Sequence, residues 1–367
     1  MTKSAGFWQR LLGKAKPAAT PGPATVRAPE SAAPSPPVLQ STSSLTHYRR
    51  EAELGRGSMG TVYLATDLQT SRKVALKLLS LQREFSPEDL AEVRQRFVRE
   101  ARAAASLRHP DILELLDSGE TGQDAWIVME LVQGQDLSAH TRVGQLLPVG
   151  QALRITSRVA RALAYAHRQG VVHRDIKPAN VLIDLASDTV KLSDFGIARI
   201  ADGSRTRTGL VLGTPSFMSP EQLVGLRVDG RSDLYSLGVL LFQLLTGQLP
   251  HRAESMARLM FEIANEPAPD ARSLRADLPE SLAMVVALAL EKRPELRYAN
   301  GDQFADDLDA VAAQLSSLPD LADANKTGEQ TPHKPMQEAD GFAQTQALES
   351  SDSRHNPQLH HPRRTLT

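Results

Sequence analysis

The tightest constraint on this chain is a pair of short motifs at a set separation. His173-Arg174-Asp175-Ile176-Lys177-Pro178-Ala179-Asn180 follows the apolar pair Val171-Val172, and Asp194-Phe195-Gly196 begins fourteen residues after Asn180, behind Val190-Lys191-Leu192. Between them, Val181–Asp184 and Val190–Leu192 read as the two strands of a short hairpin. Such a hairpin returns the chain on itself and brings Asn180 near Asp194. Two oxygen-bearing side chains then face one pocket, a donor set suited to Mg2+, which prefers oxygen ligands and phosphate. Asp175 is placed to orient an incoming hydroxyl and accept its proton. Asp194 by itself reads as a turn residue; the joint order and spacing is what removes chance.

Two upstream motifs are weaker alone. Gly55-x-Gly57-x-x-Gly60-x-Val62 follows a strand, and a dinucleotide fold would place a helix after it. Here Thr61-Val62-Tyr63-Leu64 follows, which is strand chemistry. The glycines then form a hairpin lid whose N–H groups approach phosphate, with an ordinary glycine turn as the equal alternative. Val74-Ala75-Leu76-Lys77 carries an ammonium on an apolar ribbon. A buried ammonium is costly unless paired. Glu100, three residues after Phe97 and four before Ala104, borders the apolar face of its helix and is the expected partner. Taken singly, this motif also fits a surface lysine.

Strand patterns run over Tyr48–Leu54, Thr61–Asp67, Lys73–Leu79 and Ala125–Leu131. One helix interrupts them, with Leu90, Val93, Phe97, Ala101 and Ala104 at intervals of three and four. The rest is mostly helical, and Gln151–Arg168 stops at Gly170. Strands first and helices after predict an α+β fold in two lobes. The domain is expected over 47–318, with a small lobe at 47–132 and a larger one at 133–318.

Residues 17–46 are rich in Pro, Ala, Ser and Thr, a composition that buries too little surface to offset chain entropy. Segment 1–46 therefore reads as disordered, with one short candidate amphipathic helix at Gly6–Lys16 bearing Phe7, Trp8, Leu11 and Leu12. That helix suggests weak peripheral membrane contact or partner docking, against a plain disordered tail. The tail 319–367 is polar and ends in His355, His360 and His361, where disorder is favoured over metal binding. Acids (43) and bases (42) nearly cancel, which argues against a nucleic-acid binder. There is no cysteine, so disulfides and thiolate metal sites are excluded and a reducing cytoplasm suits the chain. No stretch approaches the roughly 20 apolar residues of a transmembrane helix, and no signal-peptide core is evident. Leu234–Leu245, with Ser236 and Gln243, reads as a buried helix.

The glycine loop, VALK, HRDIKPAN, DFG and Ser219-Pro220-Glu221 together resemble the protein-kinase superfamily. The stretches YAHRQGVVHRDIKPANVLI, KLSDFGIAR, GTPSFMSPEQ and SDLYSLGVLLFQLLTGQLP are most similar to bacterial, eukaryotic-like (Hanks-type) serine/threonine kinases, over about Tyr48–Leu315. The resemblance implies a bilobal protein-kinase fold with ATP between the lobes. It implies that Lys77, paired with Glu100, holds the α- and β-phosphates. Asp175 is then the catalytic base, Asn180 and Asp194 bind Mg2+ or Mn2+, and Lys177 reaches the γ-phosphate. A lysine two residues after the catalytic aspartate marks Ser/Thr substrates. Met129 is implied as gatekeeper and Glu130–Val132 as the hinge that reads adenine, ending at Val132. Leu54, Val62, Ala75 and Leu182 would sandwich the ring under the loop of Gly55, Gly57 and Gly60, and Asp136 would contact ribose.

The same resemblance implies structural roles for Arg174, Glu221, Asp233 and Arg297. Glu221 and Arg297 would form a buried ion pair, and Asp233 would hold the catalytic-loop backbone. Thr214 would mark the substrate groove. Thr206 and Thr208, then Ser204, are candidates for activating trans-autophosphorylation by a second copy, their phosphates pairing with Arg174. Thr331 and Thr345 are candidate docking sites for forkhead-associated-domain proteins. The expected activity is protein serine/threonine phosphorylation. A pseudokinase or nucleotide-binding scaffold is the alternative; it would have lost Lys77, Asp175, Asn180 or Asp194, and all are present. A small-molecule kinase of related fold would lack the full glycine lid and the Ser-Pro-Glu groove.

Overall fold

The computed structural model describes residues 44–57, 60–122, 124–195 and 215–317. The strands β1 (Tyr48–Gly57), β2 (Gly60–Asp67) and β3 (Lys73–Leu79) form an antiparallel meander. A single helical turn, α1 (Leu81–Glu84), leads to α2 (Leu90–Ala105), and β4 (Leu115–Thr121) and β5 (Asp124–Glu130) complete the sheet. Its order is β1-β2-β3-β5-β4, so β3 and β5 are central. Both are covered on two faces, which explains their nearly unbroken apolar runs. Ala75, Leu79, Ile127 and Met129 join the core shared with α2, while Val74, Leu76, Trp126 and Val128 form a second cluster under Leu45 and Tyr48. Period-two alternation puts Lys77 on the face of Ala75 and Leu79.

A small sheet follows, made of β6 (Gln135–Asp136), β7 (Val181–Asp184) and β8 (Thr189–Leu192), with α3 (Val149–Arg168) between its first two strands. Then come α4 (Pro220–Leu223), α5 (Gly230–Thr246), α6 (Met256–Asn265), α7 (Glu280–Ala289) and α8 (Gly301–Ser316). The helix α5 is apolar nearly all round because it is the centre of this lobe: Leu234, Leu237, Leu241 and Leu244 are each wholly buried. No helix among the described residues is long and apolar enough to cross a membrane. The compact unit runs to Leu315.

Helix α8 docks on α3 by backbone contact. A Cβ added at Gly301 would lie 2.1 Å from the carbonyl oxygen of Ala160. Arg161 of α3 then pairs with Asp306 (3.0 Å) and Asp309 (2.7 Å), and Phe304 and Leu308 are buried beneath. Helix propensity alone favours Ala over Gly by about 1 kcal/mol. The clash with a backbone atom reverses that sign. Gly301→Ala is expected to lower stability by about 1–3 kcal/mol, the usual range for overpacking. A denaturant midpoint at or above wild type would contradict this docking.

Candidate active site

The loop from His173 to Asn180 is held from below by one carboxylate. Asp233, in the first turn of α5, is fully buried. Its Oδ2 accepts from the backbone N–H of His173 (2.8 Å) and its Oδ1 from that of Arg174 (2.7 Å). His167 of α3 adds a third contact, Nε2 to Oδ2 at 2.7 Å. Burial alone would raise this carboxyl; the His167 bond and charge, with His173 and the Arg174 N–H, hold it below its usual value. The clamp has a job: Arg174 has φ +68°, a left-handed conformation costing a non-glycine residue about 1–3 kcal/mol. Gln222 Nε2 donates to the Arg174 carbonyl at 3.0 Å, so α4 grips the same peptide from the other side.

Asp175 sits at the centre of a polar cluster. Lys177 Nζ donates to its Oδ2 at 2.7 Å. Asn180 Nδ2 donates to the same oxygen at 3.0 Å and to the Asp175 carbonyl at 2.7 Å. The buried ring of His173 accepts from the Asp175 N–H at Nδ1 (3.2 Å) and donates from Nε2 to the Ser193 carbonyl (2.7 Å). That bond ties the loop to the segment carrying Asp194. The Ser193 N–H donates to the Asn180 carbonyl at 2.9 Å, which draws the two ends of the β7–β8 hairpin together. Phe195 packs edge-on against His173, ring centroids 4.6 Å apart.

Lys77 donates to Asp194 Oδ1 at 2.7 Å. Burial would raise the Asp194 carboxyl, but the Lys77 charge and hydrogen bond outweigh it and keep the group ionised. Glu100 lies at 3.7 Å from Arg99 and, with Phe97, Ala101, Met129, Asp194 and Phe195, lines a cavity. Asp194, at φ +64°, turns its carboxylate toward Lys77.

The expected nucleotide-site residues fall in cross-strand pairs. Gly55 lies opposite Val62, Ala75 opposite Met129, and Asp136 opposite Leu182. Ala75 and Met129 are buried, whereas Leu54 is 52 % exposed at the open edge. The Asp136 carboxylate accepts from the Ser138 N–H at 2.8 Å, fixing its rotamer. Gly57 faces Gly60 across the lid hairpin. Gly196, Ser204, Thr206, Thr208 and Thr214 lie outside the described residues, as do Thr331, Thr345 and the segment Gly6–Lys16.

Away from the loop, Arg297 makes a two-pronged bond to Glu221, both at 2.7 Å. Several contributors escaped the sequence reading. Gln222 was announced by a capping box, since Ser219 and Gln222 bond reciprocally at the start of α4. His167 carried no such signal, because its partner Asp233 is 66 residues away.

Two lysines, each bonded to a half-buried carboxylate, and an oxygen-rich hairpin end suit the handling of a phosphorylated ligand. Residues 48–307 match the family described as protein kinase domain. Curated relatives include serine/threonine-protein kinase PknJ of Mycobacterium tuberculosis, 42 % identical over 76 % of this chain and 47 % of the relative. Serine/threonine-protein kinase Pkn1 of Myxococcus xanthus is 39 % identical over 73 % of this chain and 38 % of its own length. The chain thus spans about half the length, or less, of these two relatives. The crystal structure of the Mycobacterium tuberculosis PknI kinase domain superposes with a TM-score of 0.59 at 35 % identity, covering 75 % of this chain and 100 % of that one.

Proposed function

The chain belongs to the protein kinase domain family, and on that premise we propose that it transfers the γ-phosphate of ATP to serine and threonine hydroxyls of proteins. The observation that carries this reading is the cluster of Asp175 with Lys177 and Asn180, tied through His173 and Ser193 to Asp194. Asp175 accepts the proton of the incoming hydroxyl, and Lys177 neutralises charge on the group in transit. Lys77 holds the α- and β-phosphates. The hinge backbone at Glu130–Val132 reads adenine, between Val62 and Ala75 above and Leu182 below. Phosphoryl transfer asks mainly for positioning and charge neutralisation, which this residue set supplies.

The donor set fits a divalent ion. Asn180 and Asp194 offer hard oxygens, and Mg2+ or Mn2+ bound to nucleotide needs only one or two protein ligands beside phosphate and water. When bound, the ion supplies charge neutralisation at the phosphates. Lys77 then exchanges its Asp194 contact for phosphate and pairs with Glu100. Activation by autophosphorylation at Thr206, Thr208 or Ser204, a domain spanning 47–318, forkhead-associated partners at Thr331 and Thr345, and a cytoplasmic place of action belong to the same reading.

The test is incubation of the full chain with γ-labelled ATP and Mg2+ or Mn2+, followed by phosphoamino-acid analysis and phosphopeptide mapping. Label is expected on Thr and Ser, in peptides bearing Thr206 and Thr208 first. Label on Tyr alone would overturn the substrate class. ATP binding without any label would leave a nucleotide-binding scaffold, and a tail that stays unlabelled removes the docking sites.

A further inference from the structure

Glu130 ends β5, and its side chain is committed to two partners. Its N–H donates to the Glu114 carbonyl at 3.0 Å, and the Glu114 N–H donates back to Oε1 at 2.9 Å. The same Oε1 accepts from Lys191 Nζ at 2.6 Å. Lys191 lies on β8, where its neighbours Val190 and Leu192 are buried in the core of the larger lobe. The pair is partly shielded, with side chains 18 % and 30 % exposed. It is therefore screened less than a fully solvated surface pair.

The strip behind the hinge is bonded throughout. The Leu113 N–H donates to the Leu192 carbonyl (2.9 Å), and the Leu192 N–H to the Asp111 carbonyl (2.8 Å). Asp111 is gripped by Arg158 of α3, and the Arg108 N–H donates to the Tyr165 hydroxyl at 3.1 Å. The connection between α2 and β4 thus already rides on the larger lobe. Opening the cleft must swing the sheet about the residues after Glu130, and that swing stretches the bond from Glu130 to Lys191.

We propose that Lys191 is a positioning residue: by holding Glu130 onto β8 it keeps the hinge closed and slows release of a nucleoside diphosphate. The proposal rests on the kinase reading above, and the same strand that carries Lys191 runs directly into Asp194. Lys191 touches no nucleotide, so it acts only through the hinge.

The experiment measures dissociation of a fluorescent ADP analogue from the full chain by stopped flow, together with kcat and the KM for ATP. Lys191→Met, which keeps the stem and removes the charge, is expected to release the analogue about fivefold faster, equal to about 1 kcal/mol. Its KM for ATP rises by a similar factor while kcat does not fall, a split that general loosening of the fold would not give. Lys191→Arg is expected to stay within about twofold of wild type, since it keeps the bond. Release from Lys191→Met at the wild-type rate, or equally fast release from the Arg and Met variants, overturns the proposal. If Lys191→Met melts early, Lys191→Gln, which retains a donor for Glu130, must fall between wild type and a fivefold change; wild-type release from it together with a wild-type KM counts against the tether. A wild-type chain that binds no ADP analogue removes the kinase reading itself, whereas one that binds without transferring phosphate leaves the release measurement valid.

Discussion

Asp175→Asn is expected to reduce phosphate transfer by about a thousandfold, within the range of about 10²–10⁴ contributed by a positioned general base. That corresponds to about 4 kcal/mol of barrier. The substitution is chosen because it is nearly isosteric. The backbone N–H of residue 175 still reaches His173 Nδ1, and its carbonyl still accepts from Asn180. Asp233 still holds the two preceding amides. What changes is the acceptor shared by Lys177 and Asn180, which no longer takes a proton. ADP affinity should therefore stay within about threefold of wild type, a difference below 1 kcal/mol. The two measurements together separate chemistry from binding. A variant retaining more than a tenth of wild-type transfer would reassign the base.

The second large effect is structural. Arg297→Ala is expected to lower stability by about 3–5 kcal/mol, as for removal of one partner from a buried pair. The Arg297 side chain is wholly buried, and each of its nitrogens is used. Besides Glu221, it donates to the carbonyls of Glu291 (2.6 Å), Arg231 (3.1 Å) and Lys292 (2.8 Å), and its guanidinium lies 4.9 Å from the Tyr235 ring centroid. Deletion leaves Glu221 as a buried anion with Ser232 as its remaining side-chain donor. At about 2–4 °C per kcal/mol for a domain of this size, the melting temperature should fall by about 10 °C. Arg297→Lys should recover little, because an ammonium cannot match the two-pronged geometry. The pH dependence follows. Burial would raise the Glu221 carboxyl, but Arg297 and Ser232 depress it below the usual 4.5. The unfolded state thus binds its proton first as pH falls, so this contribution is complete above about 4.5 and disappears as pH drops through the depressed value. Thermal melts taken from pH 7 down to about 2 should show wild type and Arg297→Ala parallel above about 4.5 and converging below it. Curves parallel throughout would deny the pair its acid sensitivity.

Much of this was legible in the residues themselves. The hairpin between Asn180 and Asp194 follows from two short strands at close spacing, and the apolar runs of β3 and β5 are visible because both faces are covered. The strand β4 was not foreseen. Its sequence, LLDSGET, lacks a strand pattern, and its pairing with β5 overrides weak propensity. Gly119 in that strand makes sense only with Trp126 in place, since an added Cβ would meet the indole at 2.4 Å. The contact of Lys77 with Asp194 was out of reach for a similar reason. Periodicity pointed to Glu100 on a nearby helix, whereas Asp194, 117 residues from Lys77, is brought to the lysine by the fold. Contacts of that span leave no local signature. Short-range devices, such as the capping box at Ser219, do.

The clamp on the His173–Asn180 loop also sets an order of assembly. The sheet that frames the nucleotide cleft is complete once Glu130 has been made. The loop bearing Asp175 is not, because its carboxylate anchor lies 59 residues beyond Arg174, on a helix whose first turn is itself held by Arg297 through the Arg231 carbonyl. At about 5–20 residues per second of synthesis, that gap lasts several seconds. On the proposed reading, a growing chain therefore owns a binding sheet well before it owns a working loop, and its chemistry switches on only when nearly the whole domain has left the ribosome.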